Sequence, residues 1–386
     1  MRYQTHEEWT LSRMGLGCYA LSEAYGRVDT QAFEKTIHQA FEQGVNFFDT
    51  AEGYGGAEAL LGKVIAPMRE RVYIATKLSG ESGAPDLSSG AVRQACEASL
   101  RRLQTDVIDL YQIHFDDPST PVLETIEALE SLVRAGKIRR YGVCHLSVER
   151  VQEYAELGDP FSILMELSPV ARTAAQTLLP ICQAHNLAAL TFSVTGRGIL
   201  AGRYSTDHVF EADDIRRMDP LFKRDRYTSA QRVRAYLAKM GEDYGATPVQ
   251  MGIAWVLAQP SVVCGLTGTS SPAHLAENLA ASKIEFDPGD LAELERFLAE
   301  EDARLAAAQT ETIRALLREP LPDYPETAFI DLVYVLETAV TLGMARETEV
   351  MPIFFELFAL RKALNEDARR KMLGIQHLLR GTLRED

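Results

Sequence analysis

Val45-Asn46-Phe47-Phe48-Asp49-Thr50-Ala51-Glu52-Gly53-Tyr54-Gly55-Gly56-Ala57-Glu58 opens as a short apolar strand and stops on a carboxylate. A glycine-bounded loop then presents a phenol, and a helix begins near Ala57. In α/β proteins the C-terminal end of a parallel strand and the loop after it are where ligand chemistry is built. Asp49 and Tyr54 placed there read as a proton donor with an electrostatic partner. Two further strand ends supply a cation and a neutral donor. Val72-Tyr73-Ile74-Ala75-Thr76 runs into Lys77, and Val107-Ile108-Asp109-Leu110-Tyr111-Gln112-Ile113 runs into His114.

Working outward, strand and helix alternate. Arg13–Leu21 is expected as the first strand, followed by a helix over Ala32–Glu42 with Gly44 as its C-cap. Val45–Phe48 leads to helix Ala57–Ala66, Val72–Thr76 to Gly90–Leu103, and Val107–Ile113 to Val122–Ala135. Tyr141–Cys144 leads to Val148–Glu156, and Ser162–Leu167 to Ala174–Ala184. Ala188–Ser193 is followed by a long connection and the helices Ala230–Tyr244 and Pro248–Leu257. Val262–Leu266 and helix Pro272–Ala280 complete the series. Each crossover is long enough for a right-handed βαβ unit. The strands are continuously apolar, as strands covered on both faces must be. The expected fold is an α/β (β/α)8 (TIM) barrel. The rival, an open doubly wound sheet, usually carries Gly-x-Gly-x-x-Gly after its first strand; Gly15-Leu16-Gly17-Cys18-Tyr19-Ala20 lacks the third glycine.

Composition narrows the function. A formal net charge of -15 argues against nucleic acid or an anionic membrane as the main partner. Cys18, Cys96, Cys144, Cys182 and Cys264 are scattered with no Cys-x-x-Cys pair, so neither a disulfide framework nor a zinc site is expected. The N-terminus lacks the apolar run of a signal peptide, and the apolar C-terminal stretch is interrupted by Asp331 and Glu337. A cytoplasmic protein is the expectation.

On Asp49, Tyr54, Lys77 and His114, in this order on three successive strand ends, the chain resembles the aldo-keto reductase superfamily. The resemblance implies an NAD(P)-dependent oxidoreductase interconverting a carbonyl (aldehyde, ketone or sugar) and an alcohol. Tyr54 would be the general acid. A free phenol, with a pKa near about 10, is a poor donor at neutral pH. Lys77 would stabilise the phenolate left behind, Asp49 would fix Lys77, and His114 would hydrogen-bond the substrate oxygen, with no metal required. The cofactor would lie along Gly17, Cys18, Cys144 and His145, with Phe192 stacked under the nicotinamide. Ser193, Thr195, Gly196, Gly198 and Leu200 would receive the pyrophosphate on backbone amides. Gly268, Thr269, Ser270, His274, Glu277 and Asn278 would hold the adenosine end near a helix N-terminus. Tyr19, Tyr25 and Phe115 would line the substrate pocket. Cys144-His145 stands where the family commonly has Ser-Asn, and Leu164 where it has Gln; a commonly present arginine for the 2′-phosphate is missing. NADP(H) is the favoured cofactor and NAD(H) the second candidate.

Two regions stand outside this pattern. Gly202–Ser229 is charged and aperiodic, and reads either as a cofactor-covering loop or as a solvated insertion. After about residue 300 only helices recur, over Asp302–Leu317, Thr327–Leu342, Glu347–Leu364 and Glu366–Arg380. The expected organisation is a barrel over 1–300 and an all-α extension over 301–386. The extension would be a cap, a lid or an oligomer interface. The alternative function is a cofactor-binding regulatory or scaffold subunit with little turnover.

Overall fold

The computed structural model describes residues 1–80, 85–205 and 208–383. By internal contacts the chain forms two compact units, Met1–Ser205 with Arg234–Pro288, and Thr206–Val233 with Gly289–Asp386. This division differs from the expected cut at residue 300, because the charged segment after Ser205 groups with the C-terminal helices.

The first unit opens with a hairpin that the sequence reading did not include, β1 (Tyr3–His6) paired antiparallel with β2 (Trp9–Ser12). Eight parallel strands then close into the expected barrel: β3 (Met14–Gly17), β4 (Phe47–Asp49), β5 (Tyr73–Leu78), β6 (Ile108–Ile113), β7 (Ile138–Cys144), β8 (Ser162–Glu166), β9 (Ala188–Phe192) and β10 (Val262–Thr267), with β10 returning to β3. The hairpin is a plug. Trp9 lies 4.4 Å from the Phe161 ring and 4.8 Å from Tyr73, and it shares the core cluster with Phe47, Leu110, Leu164 and Leu190. Burying such a side chain is worth about 1.5–3 kcal/mol, enough to hold a short hairpin that periodicity alone does not reveal.

Close strand approach explains Gly15. A Cβ there would sit 2.8 Å from Leu266 and 2.9 Å from the Phe47 carbonyl oxygen. The expected first strand is shorter than Arg13–Leu21, since the chain turns at Tyr19–Ser22. Helix Ala174–Ala184 is two pieces, Thr173–Thr177 and Leu179–Ala184. Pro180 starts the second piece, where its missing N–H costs nothing.

The second unit has its own apolar core, built from Ile313, Phe329, Leu332, Leu336, Leu357, Met372 and Leu379. Its helices are Pro288–Arg318, Pro325–Thr341, Glu347–Ala359 and Glu366–Thr382. The first is much longer than the expected Asp302–Leu317. Glu301, just ahead of the expected start, is fully buried inside the helix, 2.6 Å from Arg232 and within reach of Arg304. Helix Arg224–Tyr244 likewise begins before the expected Ala230. Arg217 pairs with Glu326, Arg224 with Asp331 at 2.6 Å and Arg226 with Glu337 at 3.3 Å, so the segment's charges have partners within the unit.

Candidate active site

Sheet register brings the four strand-end groups together. Asp49 ends β4 and pairs with Ala75, while Lys77 pairs with Gln112 near the end of β6. The His114 amide donates to the Leu78 carbonyl at 3.0 Å and extends that ladder by one step. Tyr54 follows a turn in which its amide donates to the Ala51 carbonyl at 3.1 Å. The Lys77 ammonium is buried and donates to both Asp49 oxygens at 2.6 and 2.8 Å and to the Thr50 carbonyl at 2.8 Å. It lies 5.1 Å from the Tyr54 ring centroid, close enough for a cation–π contact. The Tyr54 ring is 5.7 Å from His114 and 5.0 Å from Tyr19, and Tyr25 packs edge-on to Tyr19 at 5.7 Å. Phe115 stacks on His114 at 4.3 Å.

The charge states follow from burial. Loss of water pushes the Asp49 carboxyl up, and the adjoining Lys77 opposes the shift. Burial, then the negative charge of Asp49, hold the Tyr54 phenol well above its ordinary value. His114 is lowered to about 2 by burial, then by Lys77 and by His145. It is therefore a neutral imidazole whose two nitrogens have separate tasks. Nδ1 meets the Ser79 hydroxyl at 2.5 Å. The Ser79 amide donates to Glu52 Oε1 at 2.6 Å, as does Gly80 at 2.8 Å, and the other Glu52 oxygen faces Arg102 at 3.6 Å. Ser79, Glu52 and Arg102 were not among the expected site residues. The one available signal was that Ser79 follows Lys77 by two residues, on the same strand end.

The expected cofactor residues divide into groups. Gly17 pairs with Asp49 across β3 and β4, and the Cys18 amide donates to the Asp49 carbonyl at 2.8 Å. Cys144 ends β7 opposite the buried Leu164 of β8. His145 follows in a left-handed conformation, 5.5 Å from His114 and 5.2 Å from Phe192. Its ring is open to the pocket yet ringed by protein atoms, and that displacement of water, with Lys77 and Arg197, lowers it to about 4. Ring nitrogens of His114 and His145 and the Cys144 sulfur all lie within 4.8 Å of one another.

The turn after β9 is tight. Gly196 has φ +60°, and a Cβ there would meet Val170 at 2.5 Å. The Gly196 amide donates to Ser193 at 2.7 Å, and those of Gly198 and Leu200 donate to the Thr195 carbonyl at 3.3 and 3.4 Å. These amides thus hold the turn itself. Arg197 in this turn pairs with Glu166 at 2.7 Å.

At the last strand end, Gly268 leaves open backbone, its absent Cβ approaching only the Gly17 carbonyl at 3.7 Å. Thr269 Oγ1 accepts from the Ser271 amide at 3.1 Å, and the Ser270 carbonyl accepts from Thr36 at 3.3 Å. Ser271 caps helix Pro272–Ala280 by accepting from the His274 amide at 3.4 Å. The His274 ring meets the Arg203 guanidinium, a cation the sequence reading did not place there. Glu277 accepts from Thr247 at 2.8 Å and Asn278 donates to Thr267 at 2.6 Å, so both side chains also support the scaffold.

A barrel whose C-terminal mouth gathers these groups belongs with the (β/α)8 oxidoreductases. The chain is a member of the aldo/keto reductase family, whose model matches residues 13–299. It is 33% identical over 274 residues to the aldo-keto reductase YhdN of Bacillus subtilis, covering 68% of this chain and 83% of that protein. It is 27% identical over 298 residues to the NADP(+) aldo-keto reductase yakc of Schizosaccharomyces pombe, covering 74% and 88%. Among solved structures, the glycerol dehydrogenase of Gluconobacter oxydans superposes with a TM-score of 0.69 at 29% identity, covering 78% of this chain and 95% of that one. The aldo/keto reductase of Klebsiella pneumoniae in complex with NADP and acetate superposes with a TM-score of 0.60 at 29% identity, covering 76% and 93%. No helix among the described residues is long and apolar enough to cross a membrane.

Proposed function

We propose that this chain interconverts a small-molecule carbonyl and its alcohol with NADP(H), Tyr54 acting as general acid and base. The observation that carries the reading is the buried Asp49–Lys77 pair lying against the Tyr54 ring with neutral His114 beside it. The residues present fit a phosphorylated dinucleotide. A Ser271-capped helix N-terminus, Arg203 and His274 together suit an anion, and Gly268 leaves room for close approach. NADP in the Klebsiella pneumoniae neighbour and in the name of the Schizosaccharomyces pombe relative supports the same choice over NAD(H).

When bound, the nicotinamide supplies or accepts the hydride at the substrate carbon. In the reducing direction Tyr54 passes its phenolic proton to the carbonyl oxygen, giving the alcohol and a phenolate. A phenol held well above its ordinary pKa keeps its proton until an alkoxide develops beside it. The Lys77 ammonium then faces the new negative charge, and Asp49 keeps that ammonium in place. With Ser79 Oγ donating to Nδ1, His114 carries its proton on Nε2 and donates it as a hydrogen bond to the substrate oxygen. Ser79 is thus a positioning residue. Tyr19, Tyr25 and Phe115 form the aromatic walls of the substrate pocket.

The altered anchors Cys144, His145 and Leu164 favour one other reading, a cofactor-binding regulatory or scaffold subunit. Titrating NADPH and NADH separately against the protein, by cofactor fluorescence, followed by a carbonyl and alcohol panel, separates the two. Binding with turnover that Tyr54→Phe abolishes supports the enzyme. Binding with activity indifferent to Tyr54→Phe supports the scaffold, and binding of neither cofactor sinks the reading as a whole.

A further inference from the structure

We propose that His114, Cys144 and His145 form a binding site for a borderline-soft metal ion of the Zn2+ type, whose occupant excludes the nicotinamide and so switches the enzyme off. The two residues that replace the commoner Ser-Asn pair are both metal-ligating types. They follow one another at the end of β7, next to a third donor at the end of β6. All three donor atoms already lie within 4.8 Å of one another. Zn–N bonds of about 2.0–2.1 Å and Zn–S bonds of about 2.3 Å place tetrahedral donors about 3.5 Å apart. Side-chain rotation of about 1 Å therefore closes the set and leaves a fourth, open position.

The surroundings suit it. Metal binding takes the other tautomer of His114 from the one used in catalysis: Nδ1–H donates to the Ser79 hydroxyl, which fixes the ring and frees the Nε2 lone pair as the ligand, in the way outer hydrogen bonds orient metal-bound imidazoles. The nearby Lys77 charge is matched by Asp49, which limits repulsion of an incoming cation. As the Zn–S bond forms, the Cys144 thiol gives its proton to solvent; nothing is oxidised or reduced. The competition with nicotinamide rests on the function proposed above, whereas metal binding by the cofactor-free protein does not.

The test uses the cofactor-free full chain. Zn2+ is titrated against a chromophoric chelator, and Co2+ is added separately to look for a thiolate-to-cobalt charge-transfer band. We expect one Zn2+ per chain, a Co2+ thiolate band, loss of both in Cys144→Ser/His145→Asn, and release of Zn2+ by NADPH. Far-ultraviolet dichroism and a thermal melt check that the variant is folded. The Co2+ spectrum of the unaltered protein needs no variant, so its lack of a thiolate band would overturn the proposal even if the variant fails to fold. Equal Zn2+ binding by a folded variant would also overturn it. Zn2+ and NADPH bound together would refute the switch.

Discussion

Two of the buried carboxylate–cation clusters, one in each unit, are built for different ends. Asp49 and Lys77 sit at the barrel mouth, both buried, with a phenol and an imidazole beside them. Glu301 sits inside a helix of the second unit, fully buried, held by Arg232 and Arg304, whose side chains are 40% and 54% exposed. Burial alone does not mark a working site, since structural ion pairs perturb acidity as well. The Asp49 carboxyl is pushed up by burial, while hydrogen bonds from Arg232 and Ser229 bring Glu301 below its ordinary value against the opposing effect of burial. The distinction lies in what adjoins the pair. Lys77 faces a proton donor at an open strand end, whereas Glu301 faces guanidinium groups that water reaches.

The largest expected contrast is chemical. Tyr54→Phe should lower kcat by about 100- to 10,000-fold with NADPH affinity and thermal stability nearly unchanged, as followed by turnover and fluorescence titration. Equal turnover would erase the difference between the two clusters. Next comes stability. Lys77→Met strands a buried carboxylate and should cost about 3–5 kcal/mol in urea unfolding. Asp49→Asn/Lys77→Met should recover much of that cost and none of the turnover. Arg232→Met should cost only about 1–2 kcal/mol, since Arg304 still serves Glu301, and should leave kcat alone.

Smaller effects sharpen the barrel site. Ser79→Ala removes one hydrogen bond, about 1 kcal/mol, and should lower kcat about 5- to 10-fold without changing the KM for NADPH. Ser79→Thr, which keeps the hydroxyl, should recover most of it. The last contrast is in pH dependence. Burial holds His114 at about 2, below the ordinary value of about 6.5. At acid pH the unfolded chain therefore binds more protons than the folded one. This contribution to stability is complete above about pH 6.5 and falls as pH drops through the window below it. Unfolding midpoints of wild type and His114→Asn, measured across this range, should show a shallower acid loss in the variant.

Much of this was legible in the sequence because it follows from strand ends. A run such as Val45–Asp49 declares where it stops, and three such stops put Asp49, Lys77 and His114 at one barrel mouth. Ser79 was not legible. Its importance depends on a hydrogen bond across 35 residues, and serine after a strand is an ordinary turn residue. Arg203 escaped for a similar reason, since only the folded turn after β9 carries it to His274. The helix start expected at Asp302 came too late, since Glu301 lies inside the helix and is neutralised by Arg232, 69 residues away. The hairpin at Tyr3–Ser12 was invisible because four-residue strands carry too little alternation to register.

The plug at the foot of the barrel has a spectroscopic consequence. The chain has two tryptophans, and both are buried in the first unit: Trp9 in the hairpin and Trp255 in helix Pro248–Ala258. Indole emission thus reports on the barrel and is blind to the C-terminal helices, while far-ultraviolet dichroism sees both. Coincident melting curves by the two signals would mean one cooperative transition; separated curves would mean that barrel and helices come apart independently.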